Sequence, residues 1–196
     1  MKSIVTFSVC LCAIVSLVLL LPVSGEEAIY EDVLRLHVLA DSDDTPDQTA
    51  KLLVRDAVLC TYGEAFSSLK SKEAATQYLE THLPDIERTV RATLEENGLD
   101  CTARVELTEE HFDTRTYGEL TLPAGEYTAL KITLGKGEGQ NFWCMLYPAL
   151  CTEPAKGEQI KIAAATFDKE EYLLLTDSGY AVKFRTLEIL SHIFGK

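Results

Sequence analysis

Apolar and polar residues alternate near the start of the chain in the pattern of a β-strand. Between Leu34 and Ala40 every second residue is aliphatic, and Arg35, His37 and Leu39 fill the positions between them. A period of two places successive side chains on opposite faces of a strand. We therefore predict an N-terminal strand with Arg35 and His37 on one face, at the rim of a helix or of a partner.

A polar turn follows at Asp41–Asp44, and a helix is predicted directly after it. Thr45 can cap this helix, Pro46 suits its first position, and Gln48 can close a capping box. Apolar residues at three- and four-residue steps extend the helix to about Leu69. The pattern thus predicts a strand, a turn and a helix at the start of the domain.

One or two further helices are predicted before residue 98. Ser71 can cap a second helix that runs to Leu83. Pro84 favours the start of a third helix, and Gly98 is a typical C-terminal stop. We therefore expect two to three helices after the first strand.

The second half of the chain returns to strand-like patterns. The predicted strands are Ala103–Leu107, Glu119–Leu122, Tyr127–Leu134 and Phe142–Tyr147. The glycine-rich segment Gly135–Gly139 is predicted as a hairpin loop between the last two strands. A strand, then helices, then antiparallel strands and a final helix indicate an α+β fold.

The two ends of the chain differ from this domain. The run from Ile4 to Leu21 is almost wholly apolar, and Pro22 and small residues through Gly25 follow it. This pattern predicts a signal peptide at residues 1–25, with an uncleaved membrane anchor as the alternative. Residues 26–152 form the predicted α+β domain. Residues 153–196 form a C-terminal extension whose apolar positions from Phe184 to Phe194 predict an amphipathic helix, which either docks on the core or binds a partner.

Charge excludes one class of partner. The chain has 18 lysines and arginines against 31 acidic residues, a net charge of −13, and loss of residues 1–25 would make it −14. Such a surface repels phosphate backbones, so we expect no nucleic-acid partner.

Six cysteines are present, of which Cys10 and Cys12 lie in the predicted signal peptide. The other four, Cys60, Cys101, Cys144 and Cys151, allow three disulfide pairings. The spacing of Cys144 and Cys151 can close a short loop, which would stabilise the fold by roughly 2–3 kcal/mol. Cys60 and Cys101 are expected to be core thiols or to form a second disulfide.

No catalytic or metal-binding motif emerges from the residues. The four histidines are scattered, and neither the H-E-x-x-H nor the G-x-S-x-G pattern occurs. The acidic turn lacks the glycine and the final glutamate of a calcium loop, and the glycine-rich loop does not open a helix as a phosphate loop must. We predict no enzyme activity, no cofactor and no small-molecule substrate. Trp143 and Phe142 remain either core residues or an exposed recognition edge.

Three stretches of the sequence occur in the order and spacing of one known family. They run from Leu34 to Val58, from Arg115 to Tyr127 and from Gly135 to Cys151. In these stretches the chain resembles stage II sporulation protein R. The resemblance implies a signal made in the forespore and exported into the space between forespore and mother cell. There it would activate a membrane-embedded aspartic protease of the mother cell, which processes a sigma-factor precursor. An exported cell-wall hydrolase and an anchored structural protein are the alternatives.

The motif residues supply the candidate partner-binding surface. We expect the turn Asp41–Asp44, the first helical turn and the loop Arg115–Tyr127 to face the receptor, because core packing does not demand polar residues there. The predicted contact residues are Arg35, Asp41, Ser42, Asp43, Gln48, Lys51, Arg55, Arg115, Tyr117, Gly125, Tyr127 and Trp143. The alternative is that these residues form turns and a structural ion pair of Arg55 with Asp56.

Overall fold

The structure is a computed structural model that describes residues 22–23, 26–151, 158–176 and 183–184. Its helices are α1 Glu26–Asp32, α2 Thr45–Ser68, α3 Lys72–Glu96, α4 Glu158–Thr166 and α5 Lys169–Thr176. Its strands are β1 Pro22–Val23, β2 Leu34–Leu39, β3 Ala103–Phe112, β4 Arg115–Tyr117, β5 Leu120–Leu122, β6 Gly125–Leu134, β7 Asn141–Tyr147 and β8 Lys183–Phe184. The predicted α+β fold is confirmed.

A four-stranded sheet organises the domain, in the strand order β3-β6-β2-β7. Its strand pairs are antiparallel except for β2 and β6, which run parallel. The first strand thus lies inside the sheet, and all its residues except the half-buried Leu39 are buried. Both faces of β2 are therefore buried, and the alternation does not mark an exposed face. Arg35 and His37 are buried and do not lie at a rim.

The first face of the sheet carries an aliphatic core under α2 and α3. Residues of every second position in β2 and β6 meet apolar residues of both helices, including Leu36, Val38, Leu130, Ile132, Val54, Val58, Leu79 and Val90. Full burial of one such side chain stabilises the fold by about 1.5–3 kcal/mol. This layer follows from the spacing of apolar residues in the helices and strands.

One helix spans the region where we predicted two. Ser71 caps α3 as expected, since its Oγ accepts a hydrogen bond from the Ala74 amide at 3.2 Å. The helix then continues through Pro84 to Glu96, so the predicted start of a third helix is wrong. Pro84 is on the exposed side, and so is Glu80, whose carbonyl loses its helical hydrogen bond and can turn to water.

The start of α2 also differs from the prediction. Asp44 rather than Thr45 occupies the capping position, and its side chain makes no capping hydrogen bond. Gln48 does not close a capping box, because its side-chain amide donates to the carbonyl of Ser42 at 2.8 Å. Its hydrogen bond ties the helix to the preceding turn instead.

The segment Gly135–Gly139 is not a hairpin loop. β6 and β7 are separated by β2, so the segment crosses the end of β2 to reach the far edge of the sheet. The sequence pattern shows where strands begin and end, but it does not show that an earlier strand lies between two later ones.

The second face of the sheet carries a separate core. The hairpin of β4 and β5, α1 and the two C-terminal helices cover part of this face with Ile29, Leu120, Leu122, Phe167 and Leu175. α5 begins with a capping box that the sequence analysis missed. Asp168 Oδ1 accepts from the Glu171 amide at 2.9 Å, and Glu171 Oε2 accepts from the Asp168 amide at 2.7 Å.

The predicted C-terminal helix is tested only at its first residue. Phe184 pairs with Pro22 in a two-residue strand ladder, and the remaining positions up to Phe194 lie outside the described residues. The apolar run from Ile4 to Leu21 lies outside them as well. Within the described part, no helix combines the length and the hydropathy needed to cross a bilayer.

The disulfide between Cys144 and Cys151 is present, with the two Cα atoms 5.3 Å apart. It closes the segment that follows β7. Cys60 and Cys101 are free thiols. Cys60 is exposed, so it is neither a core thiol nor part of a second disulfide, whereas Cys101 packs half-buried against the first core.

Candidate functional site

The structure sorts most of the predicted contact residues into two groups. The first group, here called the corner, consists of Asp41, Ser42, Asp43, Gln48 and Lys51. The second group, here called the arginine centre, consists of Arg35, Arg115, Tyr117, Tyr127 and Trp143. The corner follows the last residue of β2, whereas the hairpin that carries Arg115 and Tyr117 joins β3 to β6 near the start of β2. The two groups therefore lie towards opposite ends of β2.

Two aspartates of the corner bind the segment that crosses the end of β2. Asp41 Oδ1 accepts a hydrogen bond from the Lys136 amide at 2.7 Å, and Asp43 Oδ1 accepts one from the Gln140 amide at 2.7 Å. Backbone hydrogen bonds run alongside, from the Gly139 amide to the Ala40 carbonyl at 2.9 Å. The acidic turn and the glycine-rich segment are thus one unit, although they are about a hundred residues apart in sequence.

Glycine is required where these two segments touch. A Cβ atom on Gly139 would lie 2.1 Å from the backbone oxygen of Ser42, which no side chain can occupy. Close backbone approach is a known reason for glycine at a contact of two segments. Gly139 therefore serves packing at this contact.

Lys51 completes the corner from helix α2. Its ammonium group donates to Gln48 Oε1 at 2.6 Å and to the Gln140 carbonyl at 2.9 Å. Lys51 is buried, and burial lowers its pKa, while the nearby charge of Asp43 acts in the opposite direction. The corner is thus held together by hydrogen bonds from its own chain.

Arg35 is the centre of the second group. Its guanidinium lies 4.1 Å from the ring centre of Phe112 and 5.0 Å from that of Tyr127. Nη2 donates to the hydroxyl of Tyr117 at 2.6 Å, but Nε and Nη1 are buried without a hydrogen-bond partner among the described residues. Burial lowers the pKa of Arg35, and the positive charge of Arg115 lowers it too, against the favourable contact with Tyr117.

Arg115 places a second guanidinium beside the first. It stacks on the indole of Trp143, with the guanidinium carbon 4.0 Å from the ring centre. Among the described residues, no carboxylate forms an ion pair with Arg35 or Arg115. Two neighbouring positive charges thus have no ion-pair partner within the described part of the chain.

A charged network adjoins the arginine centre on the same face. His37 Nδ1 is 2.6 Å from Glu110 Oε1, and Lys131 donates to Glu110 Oε2 at 2.9 Å. Burial raises the pKa of Glu110, but the hydrogen bonds from His37 and Lys131 outweigh it, so the pKa lies below its ordinary value. The His37 ring is tilted by 33° against the indole of Trp143, with ring centres 5.5 Å apart, and its Nε2 is buried without a partner in the described region.

Glu110 and Lys131 were not predicted as site residues. The sequence does carry a signal for Glu110, because Glu106, Thr108 and Glu110 recur at every second position of β3. A polar row on a central face of a sheet marks a face that is only partly covered. The prediction of strand β3 stopped at Leu107, and for that reason the row was not recognised.

Arg55 and Gly125 lie outside both groups. Arg55 forms the predicted ion pair with Asp56 at 2.6 Å and also stacks on Phe142, 4.9 Å from its ring centre. Gly125 faces the ring of Tyr30, which a Cβ atom would approach to 2.6 Å. Gly125 is therefore a packing residue. Phe142 and Trp143 are half-buried on opposite faces of β7, each under an arginine.

No cluster of three or more histidine, cysteine, aspartate or glutamate side chains within the described ranges could hold a metal ion. One groove in the described region lies between α3 and β3, and Glu31, Glu73, Glu80 and Glu109 are among its lining residues.

Comparison with known proteins connects these groups to one family. The family model described as stage II sporulation protein R matches residues 30–156. A curated relative, the stage II sporulation protein R of Bacillus subtilis (strain 168), is 33% identical over 186 residues, which cover 85% of this chain and 83% of the relative. No solved structure matches the chain significantly. The matched region contains both the corner and the arginine centre.

Proposed function

This chain belongs to the stage II sporulation protein R family, and from that premise we propose that it is an exported signal rather than an enzyme. In this proposal the chain passes from the forespore into the space between forespore and mother cell. There it activates a membrane-embedded aspartic protease of the mother cell. The protease in turn processes the precursor of a sigma factor.

The match to the family over most of the chain is the observation that carries this proposal, and membership assigns the chain to endospore formation. The N-terminal pattern of one lysine, a long apolar run and small residues before Glu26 supports the export step. The arginine centre supports a binding role, because the buried Arg35 and the half-buried Arg115 have no acidic partner among the described residues. A positive charge of this kind gains from a partner that supplies a carboxylate.

Precursor cleavage in a non-sporulating host tests the proposal. The chain, the candidate membrane protease and the sigma-factor precursor are co-expressed, and cleavage of the precursor is followed by its change in size. We expect cleavage with the full chain and none when residues 1–25 are deleted, because the shortened chain stays inside the cell. Omitting the protease provides the second control. A folded, exported chain that produces no cleavage would refute the proposed activity.

The site of processing can be measured in the same host. N-terminal sequencing of the exported chain is expected to begin at Glu26, which corresponds to removal of residues 1–25. A chain that keeps its first residues and sediments with membranes would instead indicate an N-terminal anchor. Both outcomes leave the domain exported, so the cleavage assay and this measurement report on different steps.

A further inference from the structure

The two edges of the central sheet carry different side chains. At one edge β3 presents Arg104, Glu106, Glu109, Glu110 and His111. At the other edge β7 reads Asn-Phe-Trp-Cys-Met over residues 141–145, without a charge or a proline. Sheet edges normally carry charges, prolines or bulges, because their unpaired backbone groups can pair with another chain. β3 has this protection along its length, and the first part of β7 lacks it.

The open part of β7 is well defined within the described structure. No described strand pairs with its outer side, since β2 is its only neighbour in the sheet. The pairing with β2 is regular from Asn141 to Met145, and an irregularity follows before Tyr147. The carbonyl of Met145 accepts a hydrogen bond from the Leu150 amide at 3.2 Å, so the disulfide-closed segment ends the edge there. Asn141–Trp143 is the exposed to half-buried part that can receive a further strand, whereas Cys144 is buried.

Two guanidinium groups flank this open edge, one on each face of the sheet. Arg55 stacks on Phe142 from the side of helix α2, and Arg115 stacks on Trp143 from the side of the β4–β5 hairpin. Arg55 already pairs with Asp56, but Arg115 has no acidic partner among the described residues and lies near the buried Arg35. The side chains next to the edge are thus aromatic and positively charged, in an otherwise acidic chain.

We propose that the edge Asn141–Trp143 binds an extended, acidic segment of a partner protein, which adds a strand to β7 and places a carboxylate on Arg115. Backbone hydrogen bonds to an edge supply affinity, and the side chains beside it supply specificity. A planar guanidinium held on an indole is already oriented for a carboxylate, and its alignment costs little on binding. The identification of the partner as the membrane protease rests on the proposed function, whereas the edge itself does not.

Trp143 allows this edge to be observed directly, because it is the only tryptophan of the chain. The full chain, recovered from the export compartment of the host, is titrated with a synthetic peptide of alternating valine and glutamate. A matched peptide of alternating valine and lysine is the control. We expect a saturable change of tryptophan emission with the acidic peptide, which weakens as salt rises, and none with the basic peptide.

Charge reversal identifies the contact. Arg115→Glu is expected to weaken binding of the acidic peptide about tenfold or more, as for loss of a charge-assisted hydrogen bond. Arg104→Glu on β3 is the matched control, since it makes the same change on an exposed strand at the opposite edge, and its binding should equal that of wild type. Arg115→Gln keeps part of the packing on the indole and should show an intermediate loss if the charge is what matters. Circular dichroism verifies that all three variants are folded.

Several outcomes would overturn the proposal. They are an unchanged tryptophan emission, equal binding of the basic peptide, and undiminished binding by Arg115→Glu. Emission that changes with the concentration of the chain alone, together with dimers in sedimentation, would identify a second copy as the occupant and would also overturn it.

The precursor-cleavage assay separates this proposal from the proposed function. If folded Arg115→Glu supports as much cleavage as wild type, the edge is not the protease-binding site, although the signalling function stands. If wild type gives no cleavage but binds the acidic peptide through Arg115, the signalling function fails and the edge serves another partner. Loss of cleavage in Arg115→Glu but not in Arg104→Glu supports both.

Discussion

The corner and the arginine centre carry polar residues of the same motif set but differ in how these residues are satisfied. In the corner, Asp41, Asp43 and Lys51 each find a partner on the chain itself, and the hydrogen bonds run to backbone amides and carbonyls. In the arginine centre, Arg35 is fully buried with two of its nitrogens unpaired, and Arg115 has no acidic partner in the described part of the chain.

This difference separates two reasons for a polar motif. A polar group with all its hydrogen bonds inside the fold serves to join segments, and its loss destabilises the protein. A buried charge without a counter-charge destabilises the isolated fold, and the proposed partner would supply the counter-charge at the half-buried Arg115. The corner is accordingly expected to be sensitive in stability, and the arginine centre in signalling.

The largest effect on stability is expected from Gly139→Ala in the corner. The added Cβ would lie 2.1 Å from the backbone oxygen of Ser42, so the two segments must move apart. Overpacking of this kind costs about 1–3 kcal/mol, and here the value should fall at the upper end because the nearest atoms all belong to the backbone of Ser42. Urea denaturation measures it. Gly63→Ala in α2 is the control, since nothing lies near that position, and it should be neutral or stabilising.

A smaller loss is expected from Asp41→Ala. The change leaves the Lys136 amide without its acceptor, and an unsatisfied group of this kind costs about 1–3 kcal/mol, reduced here because the site is near the surface. Asp44→Ala is the matched control in the same turn, because the Asp44 side chain makes no capping hydrogen bond. Precursor cleavage should fall only as far as the folded population falls. A stable Asp41→Ala chain that does not support precursor cleavage would instead indicate that the corner contacts the receptor.

Local patterns allowed most secondary-structure elements to be predicted, and the strand order could not be. The aliphatic rows of β2 and β6, the cap at Ser71 and the disulfide between Cys144 and Cys151 follow from spacing and residue type. The position of β2 between β6 and β7 depends on contacts between distant segments, and it turned a predicted hairpin into a crossing segment. The pairing of Asp41 and Asp43 with that segment follows from the same topology.

The members of the arginine centre were chosen from the sequence, but the adjoining Glu110 and Lys131 and the arrangement of these residues were not predicted. Arg35 and Trp143 were both chosen from motifs. In the structure Arg115 and His37 lie against Trp143, and the charge of Arg115 acts on Arg35. Burial of Arg35 could not be predicted, because alternation on a central strand looks the same as alternation on a half-exposed strand. The unpaired nitrogens of Arg35 can be recognised only from the positions of the neighbouring strands and of the β4–β5 hairpin.

Arg35→Met is expected to change the free energy of unfolding little, within about 1 kcal/mol, or to increase it. Methionine fills a similar volume, and removal of an unpaired buried charge offsets the loss of the contacts with Phe112 and Tyr117. Precursor cleavage should nevertheless fall, because Arg35 holds Tyr117 of the hairpin that presents Arg115. Gln48→Ala in the corner is the contrasting variant. It should lower the free energy of unfolding, and precursor cleavage should fall only as the folded population falls. A strongly destabilised Arg35→Met chain would mean that Arg35 serves the stability of the fold, as the residues of the corner do.

The smallest effect is expected at Glu110, at the border of the arginine centre, and it depends on pH. The pKa of Glu110 in the fold lies below its ordinary value, because its bonds to His37 and Lys131 outweigh the effect of burial. The unfolded chain therefore binds this proton more readily, so the contribution of Glu110 to stability is present above its ordinary pKa and is lost as the pH falls through the lowered value. Glu110→Gln should thus be less stable than wild type at neutral pH, by less than about 1 kcal/mol because water screens a half-buried group.

The difference between wild type and Glu110→Gln isolates this carboxyl from others that titrate in acid. Asp32 and Glu171 are the clearest of these, since burial raises the pKa of both, and they are the same in the two proteins. The two unfolding free energies, measured by urea denaturation from neutral pH into acid, should therefore converge as the pH falls. A gap that stays constant with pH would mean that Glu110 contributes by packing alone. A gap that widens in acid would reverse the sign expected from the His37 and Lys131 contacts.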